Sequence, residues 1–301
     1  MTTKTRNRLA VLFILAFPFM VALGFLITDL IRPLPPLPPL PDPNGYDVLM
    51  KAAQLVPTNP LDYDKMNLAQ LREANVANAG ALALARAGLS NECRVPVQFS
   101  QAYNETHLDD LAGLKSLARA FVTEGKLAEM ENHPDAAAKA YLDTVRLGVK
   151  SARGGVLIDG LVGIALEGIG TSNLQKLDGQ LDAKSCRETV AALETLDAQS
   201  STFAEVMRQE NDWSHRAFPG LRNEIARLMT RKSLRAGQAA AGRKYMEQQI
   251  RTRQVLMDLA ARAYELDQGK KPASAADLVP AYLKSVPQDP FTGTNLIYSP
   301  K

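Results

Sequence analysis

Residues 9–31 read LAVLFILAFPFMVALGFLITDLI, and through Ile27 the run carries no charge. A helix rises about 1.5 Å per residue and needs roughly 20 residues to cross a hydrocarbon core of about 30 Å. The stretch therefore predicts a transmembrane anchor, with the rest of the chain held at one membrane face. Pro18 falls inside it, which predicts a bend, because proline frees a carbonyl one turn back. Lys4, Arg6 and Arg8 precede the span, while Asp29 and Arg32 cancel after it. Basic residues are retained in the cytoplasm, so residues 1–8 are expected as a cytoplasmic tail and the body as extracytoplasmic, in the periplasm of a bacterial cell. Ala22-Leu23-Gly24 offers small residues for signal cleavage, but the apolar run continues through Phe25, Leu26 and Ile27. The uncleaved anchor is the reading preferred.

Beyond the anchor lies PLPPLPPLPDP, residues 33–43, with seven prolines in eleven positions. Such a segment favours polyproline II at about 3.1 Å per residue, so residues 32–43 predict a semi-rigid spacer of roughly 30 Å. Readers of proline-rich ligands are mostly intracellular, which sets that role aside here.

The whole chain has 301 residues, 46% hydrophobic and 22% charged, enough for one sizeable core or two smaller ones outside the membrane. A net charge of +3 is too small to imply nucleic acid. The two cysteines, Cys93 and Cys186, either pair in an oxidising compartment or stay apart as buried thiols that behave as small hydrophobes.

Residues 44–250 are rich in alanine, leucine, glutamate, lysine and arginine, with no alternating β-branched run. That composition predicts a mainly α fold. Helices are expected over 46–56, 67–89, 106–132, 134–152, 156–177, 183–198, 202–217, 221–236 and 240–267. Ser185-Cys-Arg-Glu188 and Thr202-Phe-Ala-Glu205 both fit a capping box, in which hydroxyl and carboxylate satisfy reciprocal amides. Residues 251–301 change character: Pro280, Pro287 and Pro290 break any helix, and Thr292-Gly-Thr-Asn295 reads as a turn before a short strand at 296–298.

Chemistry-bearing motifs are sparse. Seven glycines between Gly148 and Gly170 invite a phosphate loop, yet no Gly-x4-Gly-Lys-Ser/Thr occurs. Residues 156–169 are apolar on nearly every side except at Asp159 and Glu167, which predicts a central buried helix with glycines at close approaches. Asp159 there must find a partner or take up a proton, which makes it the candidate buried functional acid, against the simpler reading of a structural hydrogen bond. His107 has Glu105 and Asp110 nearby, but no second histidine at helical spacing, and reads as a polar cluster at a helix start. No Gly-x-Ser-x-Gly and no Ser-x-x-Lys occurs. Neither a metal, a cofactor nor a catalytic residue is assigned. Between Arg227 and Arg253 eight basic residues face one acid, Glu247, and Arg227, Arg231 and Arg235 recur every fourth residue. Those three are the candidate contact to anionic lipid or an acidic polymer, against the plain alternative of a solvated face.

Four resemblances attach to these residues. The run from Glu124 to Leu147, with Gly125 and Ala128 on one helix and Ala137, Tyr141 and Val145 on the next, resembles one tetratricopeptide repeat, a helical hairpin whose stacked copies bind peptides. Tyr264-Glu-Leu-Asp267, Pro272, Asp277-Leu-Val-Pro-Ala-Tyr-Leu283, Val286-Pro-Gln-Asp-Pro-Phe291, Gly293 and Tyr298 resemble the carboxyl half of type II secretion major pseudopilins. Lys271 stands where those proteins carry an aromatic residue, and the chain stops at Lys301 before their calcium-binding tail, so calcium is not carried over. Gly24-Phe25 followed by Asp29 resembles a prepilin cleavage site, but the apolar run precedes the glycine instead of following it. Taken together, the spacer with Asn44-Gly-Tyr-Asp47, Cys93-Arg-Val-Pro96 and the ending are similar to uncharacterised single-pass membrane proteins of planctomycete-type bacteria. That group implies no reaction.

The expectation is an anchored helical scaffold or adaptor with a protein partner in the envelope. An envelope hydrolase with a dispersed site around Asp159, and a component associated with a secretion or pilus-like system, are the alternatives.

Overall fold

A computed structural model describes residues 36–57, 63–100 and 102–298, with positions 16–18, 20, 21, 24, 28 and 34 before them. The expected anchor at 9–31 lies outside the described residues apart from those scattered positions, as does the prepilin-like site. Among the described residues no helix is long and apolar enough to cross a membrane.

The described chain is mainly helical. Its helices run α1 Gly45–Gln54, α2 Leu68–Ser90, α3 Tyr103–Met130, α4 Pro134–Ser151, α5 Leu157–Lys176, α6 Ala183–Gln199, α7 Phe203–Ala217 and α8 Leu221–Gln268. A 3-10 turn, Ala275–Leu278, follows. Local chemistry sets most starts. Thr202 and Glu205 satisfy each other's amides ahead of α7, as their spacing predicts, and Asn67 and Gln70 do the same ahead of α2. The Ser185–Glu188 box does not form. Asp182, three residues upstream, accepts the Ser185 N–H at 2.7 Å and caps α6 itself, its carboxyl held below the ordinary carboxylate range by that hydrogen bond.

Two further expectations are corrected, and one open alternative is decided. The helices expected at 221–236 and 240–267 are one helix of 48 residues. Gly237 sits in its interior with nothing within 4 Å of an added β-carbon, and a single glycine costs only about 1 kcal/mol in a helix interior, too little by itself to end one flanked by good helix formers. The strand expected at 296–298 is absent. An isolated antiparallel bridge, Gln288 with Asn295, closes that turn instead. Cys93 and Cys186 are both free and buried.

Consecutive helices pack as neighbours: α1 on α2, α2 on α3, α3 on α4 and α4 on α5. The chain then crosses to α6, which lies against α4 and the second half of α8, while α7 covers the start of α5. Two large apolar clusters result, with a smaller one of Tyr103, Val156, Trp213 and Ala217 beside them. One gathers Tyr46, Leu49, Leu82, Leu89, Cys93, Leu114, Phe121 and Leu166; the other gathers Tyr141, Val145, Leu174, Cys186, Leu193, Leu256, Leu259, Leu278 and Leu283. The cysteines thus belong to different clusters, and burial pushes both thiols up, Cys186 to about 12.

The α4–α5 hairpin stands between these clusters, and its closeness depends on glycine. A β-carbon at Gly148 would lie 2.5 Å from the Gly163 carbonyl oxygen, inside any tolerable contact. In the α3–α4 hairpin, Gly125 likewise admits the Tyr141 ring. Tyr141 donates from there to Glu129.

Candidate functional site

The chain enters α5 through Gly154 and Gly155, the first with φ +74°. Val156 is then extended, and its N–H donates to Asp159 Oδ2 at 2.8 Å. A carboxylate in the first turn satisfies an orphan amide and faces the positive end of the helix dipole. Gly155 makes room for it, since a β-carbon there would lie 2.5 Å from Asp159 Cγ.

The other Asp159 oxygen, Oδ1, is 2.5 Å from Nε2 of His107 on α3. His107 Nδ1 reaches Asp110 Oδ2 at 3.2 Å, one turn along the same helix. The Tyr103 ring stacks on the imidazole at 4.7 Å and 17°, and Tyr46 of α1 lies beyond at 6.5 Å. Exposure is 4% for His107 and 2% for Asp159, so the pair is closed to solvent. Burial works against a charged imidazole, but the hydrogen bond and charge of Asp159, followed by those of Asp110, outweigh it and hold the His107 pKa above its ordinary value. That shift favours the imidazolium, the form in which both ring nitrogens donate to carboxylates. Burial and the Asp159 charge keep Tyr46 a neutral phenol, whose hydroxyl has no hydrogen-bond partner among the described residues.

An imidazole acting as general base needs one nitrogen within reach of the proton it removes. Both nitrogens of His107 are engaged, and both oxygens of Asp159 are engaged. The geometry is that of a buried histidine–carboxylate pair locking α3 onto the start of α5.

An open cavity of about 500 Å³ adjoins this cluster. Val156 is the shared wall: its amide is held by Asp159, and it lines the cavity. Trp213 of α7, Val95, Val97 and Phe99 of the α2–α3 connection, and Pro36, Leu37 and Leu40 of the proline spacer supply most of the apolar lining, and Arg94, Gln209, Asp212 and Arg216 add polar groups. The indole N–H donates to the Gln98 carbonyl at 2.9 Å, and Tyr103 meets the indole at 6.0 Å. The Arg216 guanidinium lies 5.5 Å over the Phe99 ring. Leu37 and Leu40 are about half exposed. The proline spacer is therefore also one rim of an apolar groove.

The basic series fares unevenly. Arg227 is engaged by Glu224 and by the backbone carbonyl of Ser214, and Glu224 also pairs with His215 at 3.0 Å. Arg235 is exposed. The Arg231 side chain lies outside the described residues. Of the three histidines, His107 and His215 each sit against carboxylates, yet among the described residues no three metal-ligating side chains come together as a metal site.

Sequence reasoning reached Asp159 and the His107–Asp110 pair separately. The link between them spans 52 residues, and nothing in local spacing reports it. Trp213 carried no motif at all. Glu167, half-buried on α5, is a further group: burial and then the Asp197 charge push its carboxyl up to about 8. Compared with family models, curated proteins and solved structures, the chain matches none.

Proposed function

We propose that this chain is a membrane-anchored extracytoplasmic scaffold or adaptor, a helical body tethered by residues 9–31 that receives a protein partner at the Trp213 groove. The observation that carries the reading is the pairing of a closed polar centre with an open groove whose wall is mainly apolar, with Arg94, Gln209, Asp212 and Arg216 among its charged and polar members. Exposed contiguous apolar surface of this kind is a mark of interaction sites, whereas a hydrolase needs convergent polar groups lining an accessible pocket. The polar groups that could have served one, His107 and Asp159, are consumed by each other, by Asp110 and by the backbone of Val156. The uncharged run at 9–27 supports the tether.

The test is cross-linking in intact cells, followed by purification through a tag placed after Lys301. Recovery of a reproducible envelope protein is expected. Recovery should fall when the rim is trimmed by Leu40→Ala with Phe99→Ala, two side chains whose exposure leaves the body's melting temperature unchanged. A clean monomer, or a partner indifferent to both substitutions, would turn the reading toward a small molecule in the same groove.

A further inference from the structure

The first part of α8 leaves the body. From Leu221 to Ala240 almost every described side chain is half or fully exposed, the exception being Glu224, which is buried at the root with His215 and Arg227. At about 1.5 Å per residue this arm is roughly 30 Å long. Its pattern is amphipathic in register, with Leu234, 53% exposed on the opposite side, as the large apolar exception. Leu221, Ile225 and Met229 recur at four-residue steps and share one face, which Lys232 continues. Arg222 and Arg235 flank that face on its two sides. The three apolar side chains are 49%, 44% and 80% exposed. Glu224 and Arg227, which hold the root to α7, project from another side of the helix. The apolar stripe is thus not the face that packs against the body.

We infer that this arm lies on an anionic lipid surface, its apolar stripe at the level of the acyl boundary and Arg222, Lys232 and Arg235 among the headgroups. A basic helix with an apolar face binds such an interface by burying area and neutralising charge together. The composition separates this occupant from the others. An acidic polymer would satisfy the cations and leave Leu221, Ile225 and Met229 wet. A second copy of the chain, packed stripe to stripe, would set the flanking cations against one another. Position agrees as well. Phe218, just before the arm, packs edge-on against Trp213 at 5.7 Å, and Trp213 shares its cavity with Pro36 and Leu37. Pro36 follows the predicted span by five residues, at most about 18 Å of chain. The arm therefore springs from the corner of the body that the anchor enters, and the inference rests on the anchored reading above only for this last point.

The experiment uses the full chain in vesicles of phosphatidylcholine, with and without phosphatidylglycerol. An environment-sensitive fluorophore is placed on a cysteine introduced by Met229→Cys, or by Thr230→Cys as the far-face control. The two native thiols are buried. Flotation with phosphatidylcholine vesicles after an alkaline wash reads the anchor by itself, so failure of the anchor and failure of the arm are separate results. With phosphatidylglycerol present, a blue-shifted emission is expected at position 229 and not at 230, reversed by salt. Replacing Lys232 and Arg235 by Gln should lower the ratio of bound to free arm about fivefold for each cation removed. Equal emission in both vesicle types would overturn the proposal. So would a response to a soluble acidic polymer with no shift at 229, which would assign the arm to that class instead.

Discussion

His107 Nε2 stands 2.5 Å from the Asp159 carboxylate, joining α3 to the first turn of α5 in a site only a few per cent exposed. Removing one member of a buried pair leaves the other charged and unsatisfied, at a cost of about 3–5 kcal/mol. Asp159→Asn should lower stability by that order in urea denaturation. The double variant Asp159→Asn with His107→Gln should recover part of the loss, because no lone charge remains. Equal losses in the single and double variants would mean that the pair carries no coupling.

The same pair and Glu167 set a pH dependence of one sign. His107 has a folded pKa above its unfolded value, so its contribution is complete below about pH 6.5 and is lost as pH rises through the folded pKa. Glu167, held at about 8, binds its proton more tightly folded than unfolded. Stability therefore falls again as pH climbs from the ordinary glutamate range toward 8. Denaturation midpoints should decline from pH 5 to pH 8, and Glu167→Gln should flatten that decline. A wild-type profile that rises over this window would contradict both assignments.

Two glycine substitutions should move stability in opposite directions. Gly148→Ala forces a methyl group to within 2.5 Å of the Gly163 backbone. Overpacking of that kind costs about 1–3 kcal/mol. Gly80, in the middle of α2, has nothing within 4 Å of an added β-carbon, and Gly80→Ala should stabilise by about 1 kcal/mol through helix propensity. Thermal melts of the two variants would check the pair.

Cys93 and Cys186 should behave as inert core thiols. In the folded protein neither should react with a thiol reagent, even under oxidising conditions, and two thiols should titrate after denaturation. Both sit in apolar clusters with raised pKa values, and the reactive thiolate is scarce in that setting. Loss of both thiols to an intramolecular bridge on air oxidation would contradict the separation of the two clusters.

Much of the fold was legible in order along the chain. Helix ends came through where chemistry is local: Thr202 with Glu205 and Pro134 at the first turn of α4 both act within four residues. Where two local signals competed, the one upstream set the helix start: Asp182 caps α6, and Ser185 lies inside its first turn. The site was legible in fragments. Asp159 was conspicuous as an acid on an apolar helix, but its partner lay on a different helix, and Trp213 acquired meaning only from the elements folded around it.

The amino-acid sequence by itself determined the mainly helical class, the glycine-bearing central helix and the uncharged run that predicts an anchor. Periodicity, capping and run length are properties of neighbouring residues and survive without a fold. Tertiary structure alone decided that His107 meets Asp159, that the cysteines occupy separate clusters, that the proline spacer rims a groove with Trp213, and that α8 runs unbroken past Gly237 into solvent. Each of these depends on a distance between residues far apart in the chain, or on burial, and both are set by how helices pack.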